Sequence, residues 1–253
     1  MKRTIERAKI PLLFAAIVIV FLTLFIYRGN DSNSQAKGDR FYGGVFSYSL
    51  PEPLISLFPL ETNSLSELRI ISQLFDPLVK QSDSKGTIQN YLAKDISFSN
   101  DVQLVTIKLK RVVIFHEDDC FRAGSSRELT AEDVAFTFSF ACSNNPLNQS
   151  GSLLMGKIQG SESFYNKGLL PEKSTVDGIR IINDYELEIH LTQPYNNFKQ
   201  LLSHPSLGIL SKSSWTYYGK QLSNHPVGSG PFYINSTSST EIQLAKNKDY
   251  WML

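Results

Sequence analysis

The sequence predicts a sheet-rich α/β chain of mixed α+β character, and three observations carry that reading. Leu104 to Lys110 runs Leu-Val-Thr-Ile-Lys-Leu-Lys, an alternation of apolar and polar residues that gives a half-buried strand. Soon after, Thr130 to Phe140 opens on a capping residue and carries apolar positions at helical steps. Sixteen Phe and eleven Tyr against two Trp, in a chain of 253 residues that is 42% hydrophobic, suit strands packed on a real core.

The body begins with Gly43 to Leu50, whose alternation predicts a strand broken by Pro51 and Pro53. Ser66 to Leu78 reads as an amphipathic helix with Ser66 as its cap and Leu68, Ile71, Leu74, Phe75 and Leu78 on the apolar face. Val79 to Leu109 reads as short strands joined by polar turns at Asp83 to Gly86 and Asn100-Asp101. Arg111 to His116 prolongs the apolar run, and a polar turn follows from Glu117 to Ser126. In the helix that comes next, Thr130 is the predicted N-cap and Asp133 closes an acidic capping box. Glu132 and Asp133 also suit the positive helix terminus, and Val134, Phe138 and Ala141 share one face. Ser152 to Asn166 is moderately helical, and Gly178 to Leu191 predicts a hairpin about Asn183-Asp184. Gly228-Ser229-Gly230 before Pro231 suits a sharp bend where backbone meets backbone.

Charge excludes one class of partner. With 25 Lys+Arg against 24 Asp+Glu the chain offers no nucleic-acid surface. Lys2, Arg3, Arg7 and Lys9 precede an uncharged apolar run from Ile10 to Tyr27, of about 18 residues, at the lower limit for spanning a bilayer. Residues 1–28 are therefore a targeting segment, with membrane contact through residues 10–27 and an exported body beyond. No clear small-residue cleavage site is present, which favours an uncleaved signal-anchor over cleavage near Ser34-Gln35-Ala36. Residues 29–40 read as a flexible linker. Export places Cys120 and Cys142 in an oxidising compartment, where a disulfide is favoured over two buried thiols.

Catalysis has little to stand on. His116, His190, His204 and His225 show no metal-ligand spacing, and Gly228-Ser229-Gly230 lacks both the outer glycines of a nucleophile elbow and the lysine of a phosphate loop. No catalytic residue, metal ligand or cofactor is expected. A hydrolase acting through Ser229 and a membrane-tethered sensor or scaffold stand as alternative readings.

Three stretches carry a resemblance. They are Lys110, Phe115-His116 and Leu129-Thr130-Ala131-Glu132-Asp133-Val134 with Phe136-Thr137-Phe138; Pro226-Val227-Gly228-Ser229-Gly230-Pro231-Phe232; and Asn247-Lys248-Asp249-Tyr250-Trp251. Together they resemble the family 5 extracellular solute-binding proteins, the oligopeptide- and dipeptide-binding receptors of bacterial ABC importers. Gly43-Gly44 and Ser56-Leu57-Phe58-Pro59 are similar to the family's opening segments, although Phe58 replaces its usual Asp. Pro194 to Leu202 is similar to one of its helices.

The resemblance implies a periplasmic-binding-protein-like clamp that encloses a peptide between two lobes and hands it to ABC permease subunits. It implies a first lobe from residues 41–75 and 186–253, with residues 76–185 inserted as a smaller domain. Asn63, Ser64 and Leu65 would supply ligand-contacting backbone, while the acid that receives a peptide's ammonium would lie in the other lobe. On this reading the chain is the N-terminal half of such a protein, truncated before its second lobe.

Overall fold

The computed structural model describes residues 35–37, 40–62, 64–82, 86–121 and 126–252, which fall into two units, Met1–Leu50 and Pro51–Leu253. In the first unit, β1 (Gln35–Lys37) and β2 (Arg40–Tyr42) pair antiparallel, β1 within the stretch expected to be linker, residues 29–40, and β2 at its end. Residues 43–50 form no strand: they open with Gly43 and Gly44 at positive φ and pair with nothing as a ladder, so alternation there does not become a β-element. Residues 10–27, expected from sequence to contact the membrane, lie outside the described residues. Among the described residues no helix is long and apolar enough to cross a membrane.

The second unit is built around an antiparallel sheet in the order β5 (Ala93–Phe98), β6 (Leu104–Leu109), β8 (Glu186–His190), β7 (Ile179–Asn183). β6 is the expected alternating strand, and its Val105, Ile107 and Leu109 are buried. It sits at the centre because it pairs with β5 on one side and β8 on the other, Ile107 lying opposite both Ile96 and Leu187. The strand stops at Leu109, since Arg111 and Val112 turn the chain and Val112 takes φ 66. β7 and β8 are the predicted hairpin. Because β8 is hydrogen-bonded to both β6 and β7, the expected lobe boundary between residues 185 and 186 falls inside the sheet.

One face of the sheet carries α2, Ala131–Ala141, which packs against β7 and β8. Thr130 is its N-cap, and the Asp133 carboxylate accepts from the Thr130 N–H at 3.0 Å. The sequence suggested one apolar face, yet every residue of α2 except Glu132 is buried. The helix is covered on its second side by α5 (Lys212–Tyr218), a helix not foreseen from sequence. Trp215 of α5 lies edge-on to Phe140, with ring centroids 4.7 Å apart, and Phe58 packs on both. Thr137 donates to the Asp133 carbonyl and accepts from the Leu210 N–H at 2.9 Å, and buried Ser139 accepts from the Val176 N–H, so both hydroxyls are satisfied.

The remaining elements bring residues 55–76 against residues 204–251. α1 (Leu65–Leu74) is the helix expected at Ser66 to Leu78, shifted at both ends. Its cap is Ser64 rather than Ser66, because Ser64 and Glu67 satisfy one another as a capping box: Glu67 N–H donates to Ser64 Oγ and Ser64 N–H to the Glu67 carboxylate. It ends at Leu74, ahead of Asp76-Pro77, since a residue before proline is held out of the helical region. β3 (Val79–Gln81) and β4 (Ile88–Asn90) form a short ladder after it. α3 (Ser161–Asn166) and α4 (Phe198–Leu201) are shorter than expected. β9 (Phe232–Thr237) and β10 (Ile242–Lys246) close the chain as an antiparallel pair.

The expected Cys120–Cys142 disulfide is not formed; both cysteines are free. Cys142 is the fully buried C-cap of α2, and burial pushes its thiol up to about 12. Cys120 lies in the 3-10 turn Asp119–Phe121, which packs against α5 instead of the α2 C-terminus. Burial and the neighbouring Asp118 carboxylate, to which the thiol donates, push its pKa well up. The Asp118 carboxylate also accepts from the Cys120 N–H and pairs with His225 Nε2 at 2.7 Å, tying the turn to the segment that follows α5.

Candidate functional site

The three motif stretches meet at the C-terminus of α1. Gly230 N–H donates to the Leu74 carbonyl at 2.9 Å, which brings the Gly228–Pro231 bend flat against the last turn of the helix. No side chain fits there. A Cβ on Gly228 would lie 1.9 Å from the Leu74 oxygen, and one on Gly230 would lie 2.4 Å from the Gln73 oxygen. The backbone approach read from the two glycines is thus real, and its partner is the α1 terminus.

His116 holds the other side of the bend. Its N–H donates to the Gly228 carbonyl at 2.7 Å; its ring accepts from Gly228 N–H at Nδ1 (3.3 Å) and donates from Nε2 to the Gly230 carbonyl (3.0 Å). This pattern fixes a neutral imidazole protonated on Nε2. Burial holds its pKa below the ordinary histidine value, against the pull of the Gly230 carbonyl and with the help of the Arg127 charge. Asn247 completes the bend, donating from Nδ2 to the Gly230 carbonyl and from its N–H to that of Pro231.

Asp76 is the buried acid of this junction. It accepts from Trp251 Nε1 and Lys80 Nζ, each at 3.0 Å, and its carbonyl accepts from the Ile209 N–H. Burial raises its carboxyl above the usual range although Lys80 and Trp251 pull it down. Tyr250 hydrogen-bonds Tyr91, and Lys80 lies over the Tyr91 ring at 3.8 Å. The histidine, glycine and Tyr-Trp motifs therefore build a rigid joint between chain segments. Ser229 inside the bend is fully buried with no partner for its hydroxyl, and both nitrogens of His116 are engaged by backbone, so no nucleophile–base pair forms there.

The opposite end of α1 carries the sequence-predicted ligand residues. Asn63 lies outside the described residues. Ser64 is committed to the capping box, and Leu65, the first helical residue, is 72% exposed. The shape of this end is set from inside by Glu67, which is buried and accepts from the N–H groups of Ile55 (2.9 Å), Ser56 (3.0 Å) and Ser64 (3.1 Å). Glu61 adds a second clamp, accepting from the Ser56 and Ser223 hydroxyls at 2.6 and 2.7 Å. Ile55, 81% exposed, and Leu65 thus flank one carboxylate-anchored turn as exposed apolar groups. Sequence reading missed Glu67 and Glu61; the Ser-x-x-Glu spacing of Ser64 and Glu67 was the available signal for the first. Among the described residues no cluster of His, Cys, Asp and Glu could hold a metal ion.

Comparison with known proteins gives consistent results. The family model described as "Bacterial extracellular solute-binding proteins, family 5 Middle" matches residues 87–252. The glutathione-binding protein GsiB of Pectobacterium atrosepticum is 24% identical over 237 residues, covering 93% of this chain and 34% of the relative. Among solved structures, the substrate-binding domain of an oligopeptide ABC transporter from Bacillus anthracis superposes with a TM-score of 0.69 at 19% identity, over 81% of this chain and 38% of that one. Haemophilus influenzae OppA in complex with RPPGFSPFR gives 0.66 at 21% identity, over 78% and 37%. The chain spans about a third of the length of the curated relatives it matches.

Proposed function

The chain belongs to the bacterial extracellular solute-binding proteins of family 5, a family of binding proteins rather than enzymes, and from that premise we propose that it supplies one wall of a peptide-binding site serving an ABC importer outside the cytoplasm. The observation that carries the proposal is the family match over residues 87–252, joined to a turn at the start of α1 built to present backbone. The first N–H groups of a helix have no partner within it. Ser64 takes those of Glu67 and Leu68, leaving that of the exposed Leu65 to face a ligand's carbonyl or carboxylate oxygen. Exposed Ile55 and Leu65 give an extended peptide apolar contact beside that donor, as in strand-like capture. Asn63, Ser64 and Leu65 are assigned to this wall, and the permease subunits of the importer to the protein's docking partner.

The same reading makes residues 51–75 and the chain beyond about Leu191 one lobe, with the sheet domain inserted between them. Supporting it, Leu57, Leu74 and Asp76 bond across to Ser223, Gly230 and Ile209. Glu186–His190 pairs within the sheet, which supports a return to the first lobe after β8.

One wall gives a peptide a few backbone bonds worth about 1 kcal/mol each, too little to offset the about 4 kcal/mol or more lost on association. Calorimetric titration with a di- to pentapeptide library tests this on residues 41–253 and on the same residues continued by the second lobe of a relative. The continued protein is expected to bind at micromolar concentration and to weaken by about tenfold or more on Leu65→Asp, a change at the first helical position that an acidic residue suits. Tight one-to-one binding by residues 41–253 alone, or indifference to Leu65→Asp, overturns the assignment.

A further inference from the structure

A concavity lies on the sheet domain, beside the joint at the C-terminus of α1. It is an open groove of about 1120 Å³ between the β5–β6 strands, the turns at residues 110–112 and 183–185, and the end of the chain at residues 249–251. Its lining includes Lys94, Lys108, Lys110 and Arg111 with the rings of Tyr185 and Trp251. The cations are placed by aromatic faces more than by carboxylates. Lys110 Nζ stands 4.4 Å from the Trp251 ring centroid, and the Arg111 guanidinium 4.6 Å from that of Tyr185. A ring face fixes a cation without cancelling its charge, so both remain available to an anion.

The acids nearby have partners, several of which line the groove itself. Asp249 pairs with Arg127 at 3.2 Å. Glu128 accepts from the Val112 N–H and the Tyr185 hydroxyl. Glu186 and Asp95 lie opposite Lys108 in the two ladders and offset that one lysine. Lys94, Lys110 and Arg111 form no ion pair among the described residues, and the lining carries four cations against two acids, Glu186 and Asp249. The backbone here is also held in a costly shape. Val112 sits at φ 66 and is 76% exposed, a β-branched residue in the left-handed region, and the Glu128 bond to its N–H pins it there. That pinned turn fixes where Arg111 stands.

We propose that this groove docks an extended acidic segment of a partner protein, bringing two or more carboxylates to Lys94, Lys110 and Arg111. Charge complementarity selects the occupant, and concavity selects its form: a chain enters a groove whose cations line the inside, whereas a flat anionic lipid surface meets only its rim. Such docking is independent of peptide capture at α1.

The test titrates the 253-residue chain with an N-acetylated, C-amidated tetraglutamate peptide in about 20 mM salt, by calorimetry and by tryptophan emission in a Trp215→Phe background that leaves Trp251 as the reporter. The tetraglutamine peptide with the same blocked ends serves as the neutral control. A saturable response to the acidic peptide alone is expected, weakening about tenfold between 20 and 200 mM salt because exposed charges are screened. The Lys94→Glu/Lys108→Glu double variant, altered only at exposed strand positions, is expected to lose at least about tenfold in affinity, and Arg111→Gln to weaken it as well. No saturable response at low salt, or an equal response to the neutral peptide, overturns the proposal. So does flotation with vesicles containing 30% phosphatidylglycerol that the double variant loses, in the absence of any peptide response, since that marks a lipid-facing surface.

Discussion

At the scale of single residues, the junction turns on atoms that cannot be added or protonated. Gly230→Ala places a Cβ 2.4 Å from the Gln73 carbonyl oxygen, and no flexible side chain can yield there. A loss of about 3 kcal/mol in urea unfolding is expected, against about 1 kcal/mol for Gly219→Ala, where φ is 54 but no atom lies within 4 Å. His116 sets a pH dependence. Its folded pKa is depressed, so its contribution is complete above the unfolded value of about 6.5 and is lost as pH falls below it. His204, also depressed by burial, acts with the same sign. Asp133 acts oppositely: burial raises it to about 6, so the fold holds a proton that the unfolded chain has released, and stability falls as pH rises between about 4 and 6. The raw pH profile therefore mixes signs. The slope of unfolding midpoint against pH between about 7.5 and 5.5 is the diagnostic, and it is expected to be shallower in His116→Gln than in the parent protein. Equal slopes would show that His116 is not neutral in the fold. The sequence placed His116 and the two glycines in matching motifs, but what they touch was invisible there, because each contact spans more than 100 residues.

At the scale of elements, α1 shows how a local signal can be misplaced and still be physical. Two serines, Ser64 and Ser66, stand at the start of the helix, and only the Ser64 hydroxyl reaches a partner. Ser64→Ala removes the capping bond to Glu67 and should cost about 1 kcal/mol. Ser66→Ala should be near neutral, because its buried hydroxyl has no partner. Glu67→Gln should cost more than either, about 2 kcal/mol, since one carboxylate serves the N–H groups of Ile55, Ser56 and Ser64. Urea denaturation of the three variants checks the order, and a larger loss for Ser66→Ala than for Ser64→Ala would move the cap back to the sequence-based position. Strand β6 and the hairpin β7–β8 were legible because a half-buried strand writes its own period. Residues 43–50 carry a similar period without forming a strand, since a strand exists only where another pairs with it.

At the scale of the second unit, two distant stretches of chain are knitted into one body. Leu57 donates to Ser223, Gly230 to Leu74 and Ile209 to Asp76, and Trp251 reaches the same aspartate through its indole. These bonds can open only if residues 55–76 and 204–251 part together. Hydrogen exchange at the Leu57, Ile209 and Gly230 amides is therefore expected to report one common opening free energy, lowered in parallel by Trp251→Phe. Independent values for the three amides would show that the segments open separately.

By itself the sequence determined the class of the fold, the central strand, the capped helix at Thr130, the hairpin at Asn183-Asp184 and the family. Each of these is either periodic within a dozen residues or written in short motifs. Only the tertiary structure decided which serine caps α1, that α2 is buried on all sides, that Cys120 and Cys142 stay apart, and that the four cations line one groove. Those outcomes depend on which surfaces meet across long stretches of chain, and a one-dimensional pattern holds no record of the far partner.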